Sequence, residues 1–501
     1  MKSYSAQWLC ITTLFVSTCL LVACGSGGPY VSPTQNPLVA QYSVPTTQGG
    51  DLSVEFGTDT SYGRQTASYP VVPGLSSVLV AGMKASTTYH MRAQLSSAGG
   101  VVWSDRDRVF TTGPIPVPIP AMTVTRTPDP ALQATENPGV ELVTFNSPPN
   151  TSFLNALVSD RDGNPIWYYP DTVSFFKPMP NGHMLMATAV GTDSVVREID
   201  LAGQTIQELS TSVLQQALQN QGYNLNLLNF SHDFIPMNNG HIIVLLQISQ
   251  DFTDLPGYPG TTNVLGDALV DLDENWNPVW LWSAFDHLDV NRHPMFFPDW
   301  THSNAVLYNP NDGNLLLSMR HQSWIIYIDY QNGTGSGSIL WKLGNQGDFN
   351  LSNSSNIGDW FYAQHFPSFV NLSNGPQITL AVFDNGDNRQ DDQDAICGTS
   401  SDPCFSRATV FQLDQSTMQA QLLWQFLPGF YSPWGGAINQ LQNGNIEFEM
   451  SQPFAFTTTG SLATEVTQTA DPQIVWQIEL SGGTSYRTYR IPSLYPNVTW
   501  P

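Results

Sequence analysis

From about residue 150 onward, apolar and polar positions alternate in short stretches, the period-two pattern of half-buried β-strands. The stretches are broken by Asn181-Gly182, Asn239-Gly240, Asp312-Gly313, Asn374-Gly375 and Asn443-Gly444. Such dipeptides tolerate positive φ and close tight hairpins. A second pattern runs through the same region, in which an acidic residue leads through a turn to a Trp-bearing strand. It recurs at Asp160 to Trp167, Asp271 to Trp280, Asp329 to Trp341 and Asp414 to Trp424. Asp200 to Ile206 is a version without Trp, and Asp471 to Trp476 is a shorter one. Six units at uneven spacing suit four-stranded blades with variable loops, so the expectation is an all-β, six-bladed β-propeller over residues 150–501. A pair of β-sandwiches would account for the strands but not for the repeat. No stretch sustains a helical period, and the one helix candidate is an insertion around Val213–Gln219.

Ahead of the repeat, residues 41–112 alternate in the same way and resemble a small fibronectin type III-like sandwich, with Tyr89 at the tyrosine-corner position. The alternating prolines of Gly113–Pro120 favour an extended spacer, so residues 113–149 read as a linker and lead-in. At the other end, Lys2, an apolar run from Trp8 to Val22 and the small residues before Cys24 read as a signal peptide over residues 1–23. Leu21-Val22-Ala23-Cys24 resembles a bacterial lipobox, which makes Cys24 the lipidated residue and residues 24–40 a Gly/Ser/Pro-rich tether. The expected location is the bacterial cell envelope, as a periplasm-facing or surface lipoprotein. With Cys10 and Cys19 lost in the leader, Cys397 and Cys404 remain as an even pair, read as a disulfide in an oxidising compartment.

Charge narrows the partners. The 501 residues carry 17 Lys+Arg against 41 Asp+Glu, a formal charge of -24, so nucleic acid is excluded as a partner. An anionic substrate would need a local cationic site, which makes each basic residue informative.

The nine histidines are unevenly placed. His232 precedes the hairpin Gly240 by eight residues, His302 precedes Gly313 by eleven, and His365 precedes Gly375 by ten. Equivalent positions on successive blades converge at the central channel, so three imidazoles are expected at one place. Arg320, on the strand returning after His302, would join them as an anion clamp, since guanidinium offers a planar fork to oxyanions. The commonplace alternative for Arg320 is a salt bridge. The remaining histidines take plainer readings: His183 and His241 finish turns, His321 faces away from Arg320, His90 belongs to the N-terminal unit, and His287 and His293 lie in a loop.

Six segments, in order, resemble the bacterial arylsulfate sulfotransferases that work without the nucleotide donor PAPS. They are Ser231-His232-Asp233, Asp299 to Val306, Ser318 to Ser323, Trp341 to Gly344, Gln364-His365 and Val382 to Asp387. Ser231 departs from the His-His-Asp common in that family, and the N-terminal domain matches weakly. The resemblance implies a six-bladed propeller behind an N-terminal β-sandwich. It also implies sulfuryl transfer from a phenolic sulfate ester to a phenol, without cofactor or metal. In that chemistry His365 would be the transiently sulfated nucleophile, His302 and Arg320 would hold the sulfuryl oxygens, His232 would assist proton transfer or binding, and Asn304 would contact substrate. Oligomeric state stays open, a homodimer included.

Two other function classes compete. Three histidines can ligate zinc or iron, although no carboxylate accompanies them at motif spacing and Arg320 would repel a cation. A propeller can also bind ligands or scaffold envelope proteins without catalysis. A conventional sulfatase is disfavoured, because Cys404-Phe405-Ser406-Arg407 lacks the proline of the Cys-x-Pro-x-Arg motif.

Overall fold

A computed structural model describes residues 28–146, 156–373, 375–391, 395–399, 403–453 and 460–501. The leader, Cys24 and Asn374 lie outside the described residues. The architecture is nearly all β and consistent with a propeller-like fold.

Residues 30–111 form two sheets. One joins Tyr30–Pro33, Ala40–Thr46 and Gly74–Val80; the other is built on Gly50–Gly57 and Thr88–Ser97. Val54, Phe56, Met91 and Ala93 alternate inward as the period-two pattern requires, and all four are fully buried. The Tyr89 hydroxyl accepts a hydrogen bond from the Lys84 backbone N–H at 2.9 Å. Pairing starts at Tyr30, so the expected tether is shorter than residues 24–40.

Among the described residues, six further antiparallel sheets follow in chain order. The second sheet runs from Val173–Pro178 to Thr205–Ser210, and the third from Asn226–Pro236 to Pro278–Ser283. The fourth spans Ser303–Asn309 to Ile339–Leu343, and the fifth His365–Leu372 to Gln419–Phe426, with a parallel edge at Asn350–Leu351. The first and sixth are completed from a distance. Thr484–Ile491 pairs with Val140–Asn146 in the first sheet, and Ala121–Arg126 pairs with Ile474–Ser481 in the sixth. The segment read as a linker therefore carries two ladder strands. The alternating prolines end at Pro120, and the Ala121–Arg126 alternation behind them was masked by that composition. The leading strands of the second to sixth sheets contact one another in succession, and the last of them contacts Thr484–Ile491.

The Trp repeat has a structural meaning. The indole N–H of Trp167 donates to the carbonyl of Leu201, and Trp282 donates to Gly337. Trp341 donates to the Gln415 side chain, Trp424 to the Thr469 carbonyl and Trp476 to the Arg161 carbonyl. Each of these Trp residues reaches from one sheet to the next, and Trp476 returns to the first. In the third sheet Trp282 makes the bond, whereas the Trp280 of the sequence pattern packs edge-on against Tyr330.

Among the described residues the one helix longer than a single turn, Thr211–Asn220, is the expected insertion; it is capped by Ser210 and buries Leu214 and Leu218. Past the last strand, the tail returns to the N-terminal sheets. Tyr495 donates to the Leu79 carbonyl, and Trp500 donates to Gln65 and packs edge-on against Phe56 at 5.9 Å.

Candidate active site

His232, His302, Arg320 and His365 line one cavity of about 700 Å³, together with Ser231, Trp434, Gly435 and Tyr486. His302 directly precedes its sheet's inner strand and His365 begins one, whereas His232 lies within the longer strand Asn226–Pro236. His232 and His365 sit at register breaks, between Phe230 and Phe234 and at His365–Ser368, and His302 immediately precedes one at Ser303–Ala305. A bulge re-aims a side chain out of the ladder. His232 and His302 even take left-handed backbone, with φ of 54° and 46°, a conformation that persists only when its surroundings enforce it.

Buried polar groups supply that enforcement. Asp233, next to His232, accepts from the Val306 N–H and pairs with Lys177 at 2.6 Å and Arg487 at 3.3 Å. Asp267 brackets His302, accepting from Thr301 Oγ1 at 2.5 Å and from the Ser303 N–H at 2.7 Å. Gln364, next to His365, donates to the Trp324 carbonyl at 2.9 Å. Asn304 is fully buried behind this wall rather than among the cavity-lining residues. Its Nδ2 donates to the Gln364 carbonyl at 2.6 Å, tying the His302 strand to the His365 strand.

The tautomer of His365 follows from Asn385. The amide of Asn385 donates to the carbonyls of Ser432 and Gly435, so its Oδ1 must face His365 and accept from Nδ1 at 2.8 Å. Nδ1 therefore carries the proton. Nε2 keeps its lone pair, which accepts a long hydrogen bond from the Gly435 N–H at 3.3 Å. Burial, and next the charge of Arg320, hold His365 well below the ordinary histidine range, so the ring is neutral. Burial likewise lowers His232 to about 3, helped by the charges of His302 and Arg487; Ser231 Oγ lies 2.5 Å from its Nδ1.

Arg320 proves to be both salt-bridged and cavity-lining. Its Nη2 donates to Asp387 at 2.6 Å and to the Pro433 carbonyl at 2.9 Å, and Nη1 lies 2.5 Å from His321 Nε2. Nε is buried with no partner among the described residues. Asp387 also accepts from Tyr431 at 2.6 Å, and burial pushes its carboxyl up to about 6 against the opposing pull of Arg320.

His321 does not face away from Arg320. The strand Asn314–Met319 ends before them, and Arg320–Gln322 form a single 3-10 turn in which strand alternation no longer applies. His321 stacks on His302 with ring centroids 4.5 Å apart. Asp299, three residues before His302, lies 2.6 Å from His302 Nδ1, so a carboxylate does accompany the histidines, contrary to expectation. Asp299, His302 and His321 form a compact group of the kind that can hold a cation. The hydrogen bonds argue otherwise: His321 Nδ1 donates to the Asp299 carbonyl, its Nε2 lone pair is taken by Arg320, and His302 Nδ1 is committed to the Asp299 carboxylate.

Residues 130–490 match the arylsulfotransferase (ASST) family. The chain belongs to that family. An arylsulfate sulfotransferase, AssT, of Lelliottia amnigena is 26% identical over 185 residues, which cover 31% of this chain and 29% of the relative's length. Among solved structures, the dihydro-heme d1 dehydrogenase NirN in complex with DHE covers 74% of this chain and 80% of its own, at 12% identity and a TM-score of 0.29. A DUF4221-family protein from Bacteroides vulgatus covers 75% and 98%, at 8% identity and a TM-score of 0.31. These two likenesses are too distant to bear on function. Within this arylsulfotransferase-family chain, Cys397 and Cys404 are joined by a disulfide, and their loop follows directly on Asn385 and Asp387.

The residues that sequence reasoning missed are Asn385, Asp387, Asp299, His321 and Tyr486. Asn385 and Asp387 lay inside a segment that carried the family resemblance, and Asp299 sits at the start of another. Tyr486 had no repeat pattern to flag it. Its ring faces His232 and His365 edge-on, at 5.7 and 6.4 Å, and burial pushes its hydroxyl up to about 12.

Proposed function

We propose that this chain transfers a sulfuryl group from an aryl sulfate to a phenolic acceptor by a ping-pong route through sulfated His365, within a six-bladed propeller behind an N-terminal sandwich. The observation that carries the reading is the neutral His365, whose Nδ1–H is committed to Asn385 while its Nε2 lone pair remains beside the Arg320-bearing cavity. Nε2 attacks sulfur, an N–S bond forms, and the aryl S–O bond breaks with its electron pair leaving on the aryl oxygen. The proton stays on Nδ1, hydrogen-bonded to Asn385 Oδ1, throughout. Arg320 and its unpartnered Nε face the charge spread over the transferring oxygens, as in-line transfer of such groups requires. In the imidazolium form, with Nδ1–H held by Asp299, His302 gives its Nε2 proton to the departing aryl oxygen and takes one back from the acceptor phenol. His232, neutral and 4.8 Å from His302, contacts the sulfuryl group or the bridging oxygen. Asn304 acts from behind the wall, holding two histidine strands in register. The envelope location and the lipid on Cys24 belong to the same proposal, supported by the Leu21–Cys24 motif and the disulfide.

The test is nitrophenolate release from 4-nitrophenyl sulfate with and without phenol, in the absence of nucleotide and metal. Phenol-dependent release with phenyl sulfate formed, and none from a folded His365→Ala variant, is the expected result. Release to free sulfate regardless of phenol would make the protein a hydrolase. No release from any phenolic pair would favour a binding propeller.

A further inference from the structure

We propose that Asp299 is a positioning residue that serves the proton-carrying histidine with its side chain and the anion clamp with its main chain. This rests on the sulfuryl-transfer reading of the cavity. Asp299 lies just ahead of the fourth sheet, fixed by bridging to Leu265 of the third. Its Oδ2 accepts from His302 Nδ1 at 2.6 Å. That bond leaves His302 Nε2 as the nitrogen available to the cavity. When Nε2 takes a proton, the imidazolium forms 2.6 Å from a carboxylate, the arrangement that lets a histidine carry a proton without losing its orientation. The attraction also draws Asp299 below the ordinary carboxylate range, against the opposing effect of burial.

The carbonyl of the same residue accepts from His321 Nδ1 at 2.6 Å. His321 is thereby fixed with its lone pair on Nε2, and burial keeps its ring neutral, lowering it to about 3. That lone pair faces Arg320 Nη1 at 2.5 Å, so an imidazole acts as a hydrogen-bond acceptor bracing a guanidinium. Asp387 holds the other end of the fork. The brace is tied in again by main-chain bonds from the Arg320 and His321 N–H groups to the carbonyls of His302 and Thr301. A guanidinium held on both sides can meet oxyanions without reorganising, and its neighbour His302 is aligned by the same loop residue.

The two functions of Asp299 separate experimentally in the full chain. Asp299→Asn removes the charge but keeps the main chain and an acceptor oxygen. Proton delivery matters most for a poor leaving group, so its kcat should fall about a hundredfold with phenyl sulfate. With 4-nitrophenyl sulfate, under the same excess of 1-naphthol, it should fall no more than about tenfold, with KM little changed. Equal losses on both donors, or no loss, would overturn the assignment. Asp299→Ala also removes the acceptor. In ¹⁵N-histidine spectra it should shift His302 away from the Nδ1–H tautomer while His321, whose Nδ1 lies 3.8 Å from the lost carboxylate, shifts slightly but keeps its Nδ1–H tautomer; an unaltered His302, or a His321 that changes tautomer with it, would overturn the division between side chain and main chain. If the wild-type chain transfers from neither donor, the transfer reading fails, and the spectra still decide whether Asp299 sets the two tautomers.

Discussion

Asn385→Leu is the sharpest probe of how His365 is prepared. The substitution keeps the approximate side-chain size and removes both functions of the amide. His365 loses the acceptor that holds its proton on Nδ1, a buried bond of 2.8 Å. A hydrogen bond of this kind contributes about 1 to 1.5 kcal/mol net, and about 1.4 kcal/mol is a tenfold change in an equilibrium. The balance between the two tautomers of His365 therefore shifts about tenfold away from the one with its lone pair on Nε2. Loss of ring alignment adds to that, so kcat should drop between about tenfold and a hundredfold. KM should change little, because Arg320 is untouched. The Gly435 carbonyl also loses its Asn385 donor, and the Ser432 carbonyl keeps only the Ser406 hydroxyl at 3.3 Å. The stability cost is about 1 to 3 kcal/mol, readable in a denaturant titration and separable from rate by assaying well below the transition. Single-turnover transfer from 4-nitrophenyl sulfate measures the chemical step. A folded variant with unchanged kcat would refute the assignment of Nε2 of His365 as nucleophile.

Other outcomes follow from the same geometry. Because His365 is held well below its ordinary range and His232 is lowered to about 3, kcat/KM should hold as pH falls through the usual histidine range. It should decline below about 6, where Asp387 takes up a proton and releases Arg320; in Asp387→Asn the reduced rate should be flat across that interval, as a pH–rate series would show. Trp500→Ala should cost about 3 to 5 kcal/mol, confined to the N-terminal sheets. The indole is almost fully buried, against Phe56 and Tyr495 and under Arg64, and it donates to Gln65. Denaturant unfolding should show an early separate transition, with transfer by the remainder unchanged.

The parts of the site that sequence made visible are those that repeat. His232, His302 and His365 could be aligned by counting back from hairpin glycines, and the fold brings all three to one cavity with Arg320. What could not be read depends on local breaks in the repeat. The role of His321 was hidden because a 3-10 turn replaces the strand at Arg320, so a rule of alternating faces points the ring the wrong way. The left-handed backbone of His232 and His302 is imposed by Asp233 and Asp267 through contacts distant in sequence. Ala121–Arg126 was concealed by prolines next to it, and its partner Ile474–Ser481 lies at the other end of the chain. Tyr486 reaches the cavity only because a late strand enters an early sheet.

That late strand sets the order in which the protein can be finished. During synthesis Val140–Asn146 emerges long before Thr484–Ile491 exists to pair with it, so the first sheet must wait with one edge bare. Long-range pairing of this kind folds slowly and leaves an unpaired edge open to other chains in the meantime. The same strand carries Tyr486 into the cavity wall and Arg487 onto Asp233 beneath His232. A prematurely terminated chain would thus lack both its seam and part of its reaction chamber. Copies that end before Thr484 are expected to be unstable and to lack part of the cavity wall.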